Sequence, residues 1–174
     1  MKPVCALLFS AMTGISLCAS SSYGVGVQTG FDLGNGSVIA PKLDYLHITD
    51  SSSVGGSAAP IDLSTTANVV SLAADYDYFI NGQNPWGFYG AAGLGVAVAS
   101  LDVSGSTVGA SASTTSHQTV VYPEIGIGYQ FQQYFGLELL YKNLRLNDVT
   151  VAVGGVPAGY SYSGTLQLGF VVRF

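Results

Sequence analysis

Two histidines are the side chains of this 174-residue chain most suited to act as a general base. His47 lies between Asp44 and Asp50, and His117 directly follows Ser116. A serine nucleophile needs its base within hydrogen-bond reach. Neighbouring residues of a strand point to opposite faces, so Ser116 and His117 cannot form that pair. We therefore expect no catalytic residues, and two histidines at the outer ends of strands.

Metal, phosphate and thiol chemistry have little support in the sequence. Two histidines are few for a transition-metal site, and the scattered acids cannot form a calcium cage. The stretch "GAAGLG" lacks the lysine and the following helix of a phosphate-binding loop. Both cysteines, Cys5 and Cys18, lie in the first 20 residues. The sequence predicts no cofactor and no metal.

The N-terminus has the pattern of a secretory signal. Lys2 is followed by the apolar stretch "PVCALLFSAMTGISL" and the small residues "CASSS". We predict a signal peptide over 1–20 and a single domain over 21–174. An uncleaved anchor helix and a lipid-acceptor role for Cys18 are the alternatives. Without Lys2, four bases face ten acids, a net charge of −6, which gives no electrostatic footprint for nucleic acid.

From residue 23 onward, apolar and polar residues alternate with the period of a β-strand. One such stretch sets Val70, Leu72, Ala74, Tyr76 and Tyr78 against Ser71, Ala73, Asp75 and Asp77. Seven stretches of this kind are readable. A soluble β-sandwich is the alternative, but its polar face would be rich in lysine, glutamate and threonine. Here the polar face alternates glycine and alanine with isolated charges, which suits the interior of a small membrane barrel.

The charged residues of that inward face form a predicted lumen network. Its members are Asp32, Lys42, Asp44, Asp75, Asp77, Glu124, Glu138, Lys142 and Arg173. Charges in so narrow a lumen must pair or be neutralised. We expect the three bases to pair with the carboxylates, at least one acid to share a proton, and little conductance.

The connections alternate between short and long. Short turns are expected at 35–37, 81–85 and 132–133, and long Ser-, Thr-, Gly- and Ala-rich external loops at about 49–66, 101–117 and 146–161. Aromatic residues beside the short turns predict an interfacial girdle, made of Tyr76, Tyr78, Trp86, Phe88, Phe131 and Phe135. Pro41 and Pro123 cannot donate to a ladder, so we expect bulges or strand ends there.

Several stretches, "FDLGNGSVIAPKLDY", "PWGFYGAAGLGVA" and "YPEIGIGYQFQQYFGLELLYK", resemble the small outer-membrane β-barrels of Gram-negative bacteria. This family includes the OmpA membrane domain, OmpX and the opacity proteins. The resemblance implies an all-β, antiparallel, up-and-down transmembrane barrel of eight strands in the outer membrane. It also implies contact with outer-membrane lipids, lipopolysaccharide and the barrel assembly machinery. The C-terminal strand is similar to the family's assembly signal at Gln167, Gly169, Val172 and Phe174, although Val172 replaces an aromatic residue.

An even strand number places both termini in the periplasm. Seven readable strands therefore leave one crossing unaccounted for before residue 23. Three explanations stay open: an incorrect start, a strand within 8–20 instead of a signal, or a hairpin hidden near 148–160. N-terminal sequencing of the inserted protein would separate them.

For function, the sequence favours a non-enzymatic outer-membrane barrel with a plugged polar lumen. Its role would be structural or adhesive, exerted through the long external loops. Tyr160 and Tyr162 are the aromatic candidates for a binding hot spot in those loops. The sequence identifies no specific external partner. The alternatives are a lipid-modifying barrel enzyme and a small-molecule conduit, the latter suggested by the inward glycines Gly93, Gly95, Gly126 and Gly128.

Overall fold

The computed structural model describes residues 3–4, 12–15, 21–54, 60–81, 87–131 and 135–172. None of these residues belongs to a helix long and apolar enough to cross a membrane. The strands are β1 (Pro3–Val4), β2 (Met12–Ile15), β3 (Ser21–Gln28), β4 (Gly30–Gly34), β5 (Ser37–Val54), β6 (Ile61–Phe79), β7 (Gly87–Thr107), β8 (Ala110–Gln130), β9 (Phe135–Lys142), β10 (Leu146–Val153), β11 (Val156–Tyr162) and β12 (Thr165–Val172).

The strands pair antiparallel in the order of the chain. The main sheet runs β1-β4-β5-β6-β7-β8-β9-β12, with β2 on β3 and β3 on β5, while β10 and β11 form a separate hairpin. β12 is also in contact with β2, so the two ends of the strand order meet. This arrangement confirms the predicted all-β, antiparallel, up-and-down fold.

Two short N-terminal strands pair with the sheet in addition to the seven strands read from the sequence. The backbone of Met12–Ile15 pairs with β3, and that of Pro3–Val4 pairs with β4. β3 and β4 together make the next crossing. The described parts of the segment with the signal-peptide pattern, 3–4 and 12–15, therefore lie on the side of β3 and β4 where the eighth strand is needed. Removal of 1–20 in the cell stays a prediction.

Both strand prolines lie opposite an interruption in the neighbouring ladder. The carbonyl of Pro41 accepts from the Thr29 amide, and Thr29 is the residue at which β3 gives way to β4. The carbonyl of Pro123 accepts from the Asn143 amide, one residue beyond the β8–β9 pairing. In both pairs the missing proline N–H would have donated the reciprocal bond. Neither proline lies at the expected bulge or strand end, because β5 and β8 pair through Pro41 and Pro123 without a register shift; the neighbouring strand breaks or ends beside each proline instead.

The prediction of long external loops at 49–66, 101–117 and 146–161 was wrong, because most of these residues are in strands. β5 continues to Val54 and β6 starts at Ile61. β7 and β8 pair without a register shift up to Thr107↔Ala110. Residues 146–162 form the β10–β11 hairpin. The short turn predicted at 35–37 is confirmed at the opposite end, where Asn35 and Gly36 both have positive φ, as a two-residue type I′ hairpin requires. The turns predicted at 81–85 and 132–133 fall largely outside the described residues.

The polarity of the two faces reverses partway along the tall strands. In β6 the outward residues change from Val70, Leu72 and Tyr76 to Asp62, Ser64 and Thr66 toward the β5–β6 connection. The inward residues change in the opposite sense, from Asp75 and Asp77 to Leu63 and Val69. In β7 the apolar outward stretch runs from 88 to 98, which matches the ~9–11 residues that cross a bilayer. The remaining residues of these strands lie beyond the membrane.

Two buried apolar clusters result. The outer apolar core fills the space between the upper parts of β5–β8 and the β10–β11 hairpin. Its larger members are Leu46, Ile48, Leu63, Val69, Leu101, Val103, Leu144, Leu146, Val149, Val151 and Val153. The periplasmic apolar cluster, at the end with short turns, consists of Val38, Phe79, Tyr89, Ala91 and Leu140.

Candidate functional site

Five of the predicted lumen charges meet between the two apolar clusters, and we call them the lumen cluster. Lys42 Nζ lies 2.6 Å from Asp75 Oδ2 and 2.7 Å from Glu124 Oε1. Lys142 Nζ lies 2.6 Å from Asp44 Oδ2 and 3.7 Å from Glu124 Oε2. All five side chains are buried. Glu124 therefore joins the two lysine-centred pairs into one network.

Two further predicted acids are buried nearer the short turns. Glu138 Oε2 accepts a hydrogen bond from the Tyr89 hydroxyl at 2.9 Å. Asp77 has no solvent exposure, and it also takes part in a noncovalent interaction with another residue. Because Tyr89 also belongs to the periplasmic apolar cluster, Glu138 links the charged layer to that cluster.

Asp32 lies apart from these charges. It is exposed at the β4–β5 turn, where its carboxylate accepts from the Gly34 amide at 2.8 Å. β4 has a register irregularity against β5 between Asp32 and Gly34, which removes the strict alternation on which the inward placement of Asp32 relied. Arg173 is outside the described residues, and its pairing stays a prediction.

Large side chains of neighbouring strands occupy the space beside two of the inward glycines. A Cβ atom added to Gly128 would overlap the Tyr89 ring, and one added to Gly95 would overlap the Tyr122 ring. The ammonium group of Lys142 lies 5.8 Å from the centroid of the Tyr122 ring. Glycine on one strand thus makes room for tyrosine on the next, and the glycine stripe does not form an open path.

The predicted girdle residues lie at one end of the barrel. Tyr76, Tyr78, Phe88, Phe131 and Phe135 are all exposed, at the ends of β6, β7, β8 and β9 nearest the short turns. Tyr129 adds to them, with its ring centroid 4.6 Å from that of Phe88 and 5.0 Å from that of Phe131. Trp86 is outside the described residues.

The two histidines lie within strands, and not at strand ends as expected. His47 faces outward on β5, where its Nδ1 lies 2.8 Å from Asn68 Oδ1. His117 is exposed on β8, while Ser116 faces the interior and is half-buried. Among the described residues, no group of three or more histidine, cysteine, aspartate or glutamate side chains could hold a metal ion.

Tyr160 and Tyr162 differ from the exposed hot-spot candidates expected of a loop. Both are half-buried and pack against the outer apolar core. Burial, and then the negative charge of Asp50, raises the pKa of Tyr160. Burial also raises the pKa of Tyr162. These rings stabilise the hairpin against the sheet and are not offered to a partner.

The predicted assembly signal lies in β12. Gln167 and Gly169 are buried and pair with Leu140 and Glu138 of β9. Val172 ends the strand opposite Phe135. Phe174 is outside the described residues. The role of these residues in assembly stays a prediction.

An exterior apolar band of one membrane thickness, a charged interior and antiparallel neighbours throughout define a small outer-membrane β-barrel. The chain belongs to the outer membrane protein beta-barrel domain family, whose model matches residues 10–174. It is accordingly a protein of the Gram-negative outer membrane, surrounded by the lipids of that membrane.

Solved structures show the same fold. The crystal structure of Ail, the attachment invasion locus protein of Yersinia pestis, is 14% identical, with a TM-score of 0.52 over 97% of this chain and 94% of that chain. Ail in complex with the heparin analogue sucrose octasulfate is also 14% identical, with a TM-score of 0.50 and full coverage of both chains. No curated protein matches the chain.

Proposed function

We propose that this protein is a non-enzymatic, non-conducting barrel whose β-sheet extension acts as an attachment surface outside the cell. The closed lumen is supported by three layers in succession: the periplasmic apolar cluster, the lumen cluster and the outer apolar core. An eight-stranded barrel has an interior that side chains can fill. Ions would have to pass two dry layers, which opposes conduction.

Planar-bilayer recording of the refolded full chain tests the closed lumen. We expect no sustained conductance, with a wide porin in the same bilayer showing that channels are detectable. Arg145→Gln, an exposed charge change outside the lumen, serves as the matched control and should also be silent. Large, long-lived openings of the wild-type protein would contradict the plug.

The attachment role rests on one observation, the unpaired edge of β8. In the part of the chain that the structure describes, β9 accompanies β8 only from Glu124 to Gln130. Beyond Pro123, β10 meets β8 through the Gln118 side chain, which bonds both the amide and the carbonyl of Asn147. A backbone ladder on that side is absent from the described residues above Pro123.

The hydrogen bonds at the end of β9 show which residues of β8 point toward this edge. The Asn143 amide donates to the Pro123 carbonyl, and the Phe131 amide donates to the Phe135 carbonyl. Odd-numbered residues of β8 therefore direct their backbone groups away from β7. Over the upper part of the strand these are Ser111, Ser113, Thr115, His117, Thr119 and Val121.

An edge of this kind can accept an extended peptide as an additional strand. Natural edges are usually protected by lysine, proline, bulges or short length. The segment Ala110–Tyr122 contains no Lys or Pro, and its pairing with β7 has no register shift. β5 also passes beyond β3, at Ser51–Ser53, but that edge is short. The long, uncharged β8 edge is therefore the better docking strand.

The charge of the surface defines the peptide further. Outside the lumen, the described extension carries Asp50, Asp62, Asp102 and Asp148, against Arg145 as its base. Ail has been solved with a sulfated polyanion. Asp102, opposite Thr115 of β8, and Asp148, next to Asn147, would repel such a ligand at the β8 edge, so we propose a neutral or basic extended segment for this edge.

Proline substitutions at the two edges test the attachment surface. The probe is a short synthetic peptide of alternating threonine and valine with lysine at both ends, titrated onto the refolded full chain. Ser113→Pro removes an edge-facing N–H of β8 and should weaken peptide binding about fivefold or more, since one net hydrogen bond is worth ~1 kcal/mol. Ser51→Pro removes the corresponding N–H at the β5 edge and should leave binding unchanged.

Two results would contradict this surface. Equal binding of a peptide that is N-methylated at alternate residues would mean that main-chain pairing is not involved. Loss of binding in Ser51→Pro but not in Ser113→Pro would place the peptide on the other edge. Displayed on cells, Ser113→Pro should also reduce attachment to host-cell surfaces, and Ser51→Pro should not.

Assembly by the outer-membrane insertion machinery is part of the proposal. It is supported by the match of Gln167, Gly169 and the C-terminal residues to the assembly signal, in a strand that ends the sheet beside β2. Deletion of Phe174 should reduce the fraction of cellular protein that shows heat-modifiable migration. Val108→Ala, at an exposed hairpin tip, should not.

The enzyme and conduit alternatives gain no specific support. The serine next to His117 faces the interior, and His47 is bonded to an amide and not to a nucleophile. The glycine-lined path is occupied by Tyr89 and Tyr122. Unchanged lipid A acylation in cells with and without the protein is the expected outcome.

A further inference from the structure

Four polar or aromatic side chains come together on the outward surface where the apolar band ends, and we call them the rim cluster. Tyr23 on β3 is opposite His47 on β5, and His47 is opposite Asn68 on β6. Tyr45 lies two residues before His47 on the same face. Neither the closed lumen nor the β8 edge uses this cluster.

Short contacts hold the rim cluster in one arrangement. Asn68 Oδ1 accepts a hydrogen bond from the Tyr45 hydroxyl at 2.7 Å and lies 2.8 Å from His47 Nδ1. Because that amide oxygen can only accept, the His47 Nδ1 atom carries the hydrogen. The rings of Tyr23 and His47 stack with centroids 4.9 Å apart and an interplanar angle of 37°.

This arrangement leaves polar groups for a ligand. With its oxygen engaged by two donors, Asn68 can offer its two amide hydrogens. With its hydrogen on Nδ1, the His47 ring can only accept at Nε2, for example from a sugar hydroxyl, whereas Tyr23, which is 58% exposed, can donate its hydroxyl hydrogen. These groups come from adjacent strands, so the separation between them is set by the rigid ladder.

The position of the cluster limits what the ligand can be. Below it, the outward residues are apolar, among them Val25, Leu43 and Val70. Above it, on β6, are Thr66 and Ser64. The rim cluster therefore lies where the acyl chains of the outer leaflet end and the headgroups begin.

We propose that the rim cluster binds the phosphate-bearing headgroup of an outer-leaflet glycolipid. Phosphate oxygens are strong acceptors, which suits the amide and hydroxyl donors, while the tyrosine rings contact the sugar and the first carbons of the acyl chains. The nearest described carboxylate on this face, Asp102, is opposite Thr66 and is bonded by the Thr115 hydroxyl at 2.6 Å, on the side away from the cluster. The inference rests on the contact with lipopolysaccharide that the family resemblance implies, and it names the residues that would make it.

The test measures lipid retention by the full chain in phosphatidylcholine nanodiscs, using native mass spectrometry with added lipid A. Asn68→Leu should reduce retention of lipid A about tenfold, because it removes the amide donors but keeps the outward bulk. His47→Phe should reduce it similarly, because it removes the Nδ1–H that holds the Asn68 amide in its orientation. His117→Phe changes the other outward histidine, which lies outside the cluster, and should retain lipid A like the wild type. Heat-modifiable migration establishes that each variant is folded.

Ligand variants identify the chemistry. Lipid A without its phosphates should be retained about tenfold less than the bisphosphorylated form, and only by the general apolar surface. Millimolar inorganic phosphate should compete weakly. Complete competition by inorganic phosphate would mean a free-anion site, and equal retention in Asn68→Leu, His47→Phe and wild type would mean no site. Either result overturns the inference.

The outcome is separable from that of the proposed function. Asn68→Leu should leave bilayer conductance and peptide binding at the β8 edge unchanged. Normal lipid A retention together with lost peptide binding in Ser113→Pro would leave both proposals intact. Loss of peptide binding in Asn68→Leu would show that the variant disturbs the whole extension, and His47→Phe then decides the question.

Discussion

Glu124 is the residue through which the charges of the lumen become one network. Its two carboxylate oxygens face Lys42 at 2.7 Å and Lys142 at 3.7 Å, and each lysine holds a further aspartate. Three carboxylates thus share two ammonium groups in a place that water barely reaches. A buried ion is strongly destabilising when its partner is removed. The fold depends on the completeness of this set more than on any single pair.

Removal of one lysine should therefore cost far more than removal of a surface charge. Lys42→Met leaves Asp75 and Glu124 buried without their closest cation, and we expect a loss of about 3–5 kcal/mol in the free energy of unfolding. Equilibrium unfolding in urea from lipid vesicles measures it. Arg145→Gln, which removes an exposed charge, should stay within about 0.5 kcal/mol of the wild type. Equal effects of the two substitutions would contradict the network.

Alternation in the sequence was sufficient to place most of these charges inside, but it could not assign their partners. Lys142 pairs with Asp44 across 98 residues of chain. Such a pair follows from strand register and barrel curvature, neither of which is readable from one sequence. Asp32 shows the limit of alternation itself, because a register irregularity beside the turn turned it outward. The contacts of the rim cluster were likewise invisible, since they join three separate strands.

Among the elements, β7 and β8 show how glycine and tyrosine share one interior. Gly128 lies against the Tyr89 ring, and Gly90 of β7 faces open space on the outside. Both glycines lie within long paired strands, and they differ in whether a side chain fills the space beside them. They are therefore a matched pair for substitution. The strand prolines also depend on the neighbouring strand. Each lies where the backbone hydrogen bonds to that strand are interrupted.

Gly128→Ala should force the Tyr89 ring from its place and strain the hydrogen bond to Glu138. We expect a loss of about 1–3 kcal/mol, the usual cost of overpacking. Gly90→Ala should be neutral or slightly stabilising, because its Cβ meets no atom within 4 Å. Urea unfolding compares the two, and Tyr89→Val should rescue Gly128→Ala. Failure of that rescue would mean that Tyr89 is not the obstacle.

The β10–β11 hairpin should loosen at high pH. A tyrosine with a raised pKa stabilises the fold below its unfolded value of about 10, and this contribution is lost as the pH rises through the folded value. Burial gives Tyr160 such a raised pKa. Near-ultraviolet circular dichroism should therefore show an alkaline transition above about pH 10 that Tyr160→Phe diminishes. An identical transition in the variant would contradict the assignment.

The molecule as a whole is a membrane barrel continued by a sheet with the opposite polarity. The Ser- and Thr-rich composition of 101–117 was read as a loop because such residues dominate turns. The apolar residues also change parity, from Val96 and Val98 to Leu101 and Val103, which looks like the end of a strand. The strand in fact continues, and what changes is the medium outside it. Architecture was predictable from sequence, but the height of the extension was not.

An extension made of paired strands should resist proteases that cut loops. Proteinase K added to intact cells should produce no fragment cut within 101–107 or 110–117, because these two segments pair with each other along their whole length. Leu101→Asp with Val151→Asp places two charges in the outer apolar core and should make that region sensitive. Ser104→Asp, an outward substitution, should not. Rapid cutting of the wild-type protein within 101–107 or 110–117, away from the exposed tip at Val108, would restore the loop interpretation.

The reversal of polarity has a consequence for how the protein sits in lipid of different thickness. The outward face changes from Val98 to Ser100 to Asp102 within four residues of β7, so the upper limit of the hydrocarbon contact is sharply defined. A bilayer thicker than this band would press acyl chains against serine and aspartate, at a cost of a fraction of a kcal/mol per Å of mismatch. The protein should therefore accumulate in thinner regions of the outer membrane, or thin the lipid around itself. The distribution of the protein among membrane regions should therefore depend on bilayer thickness.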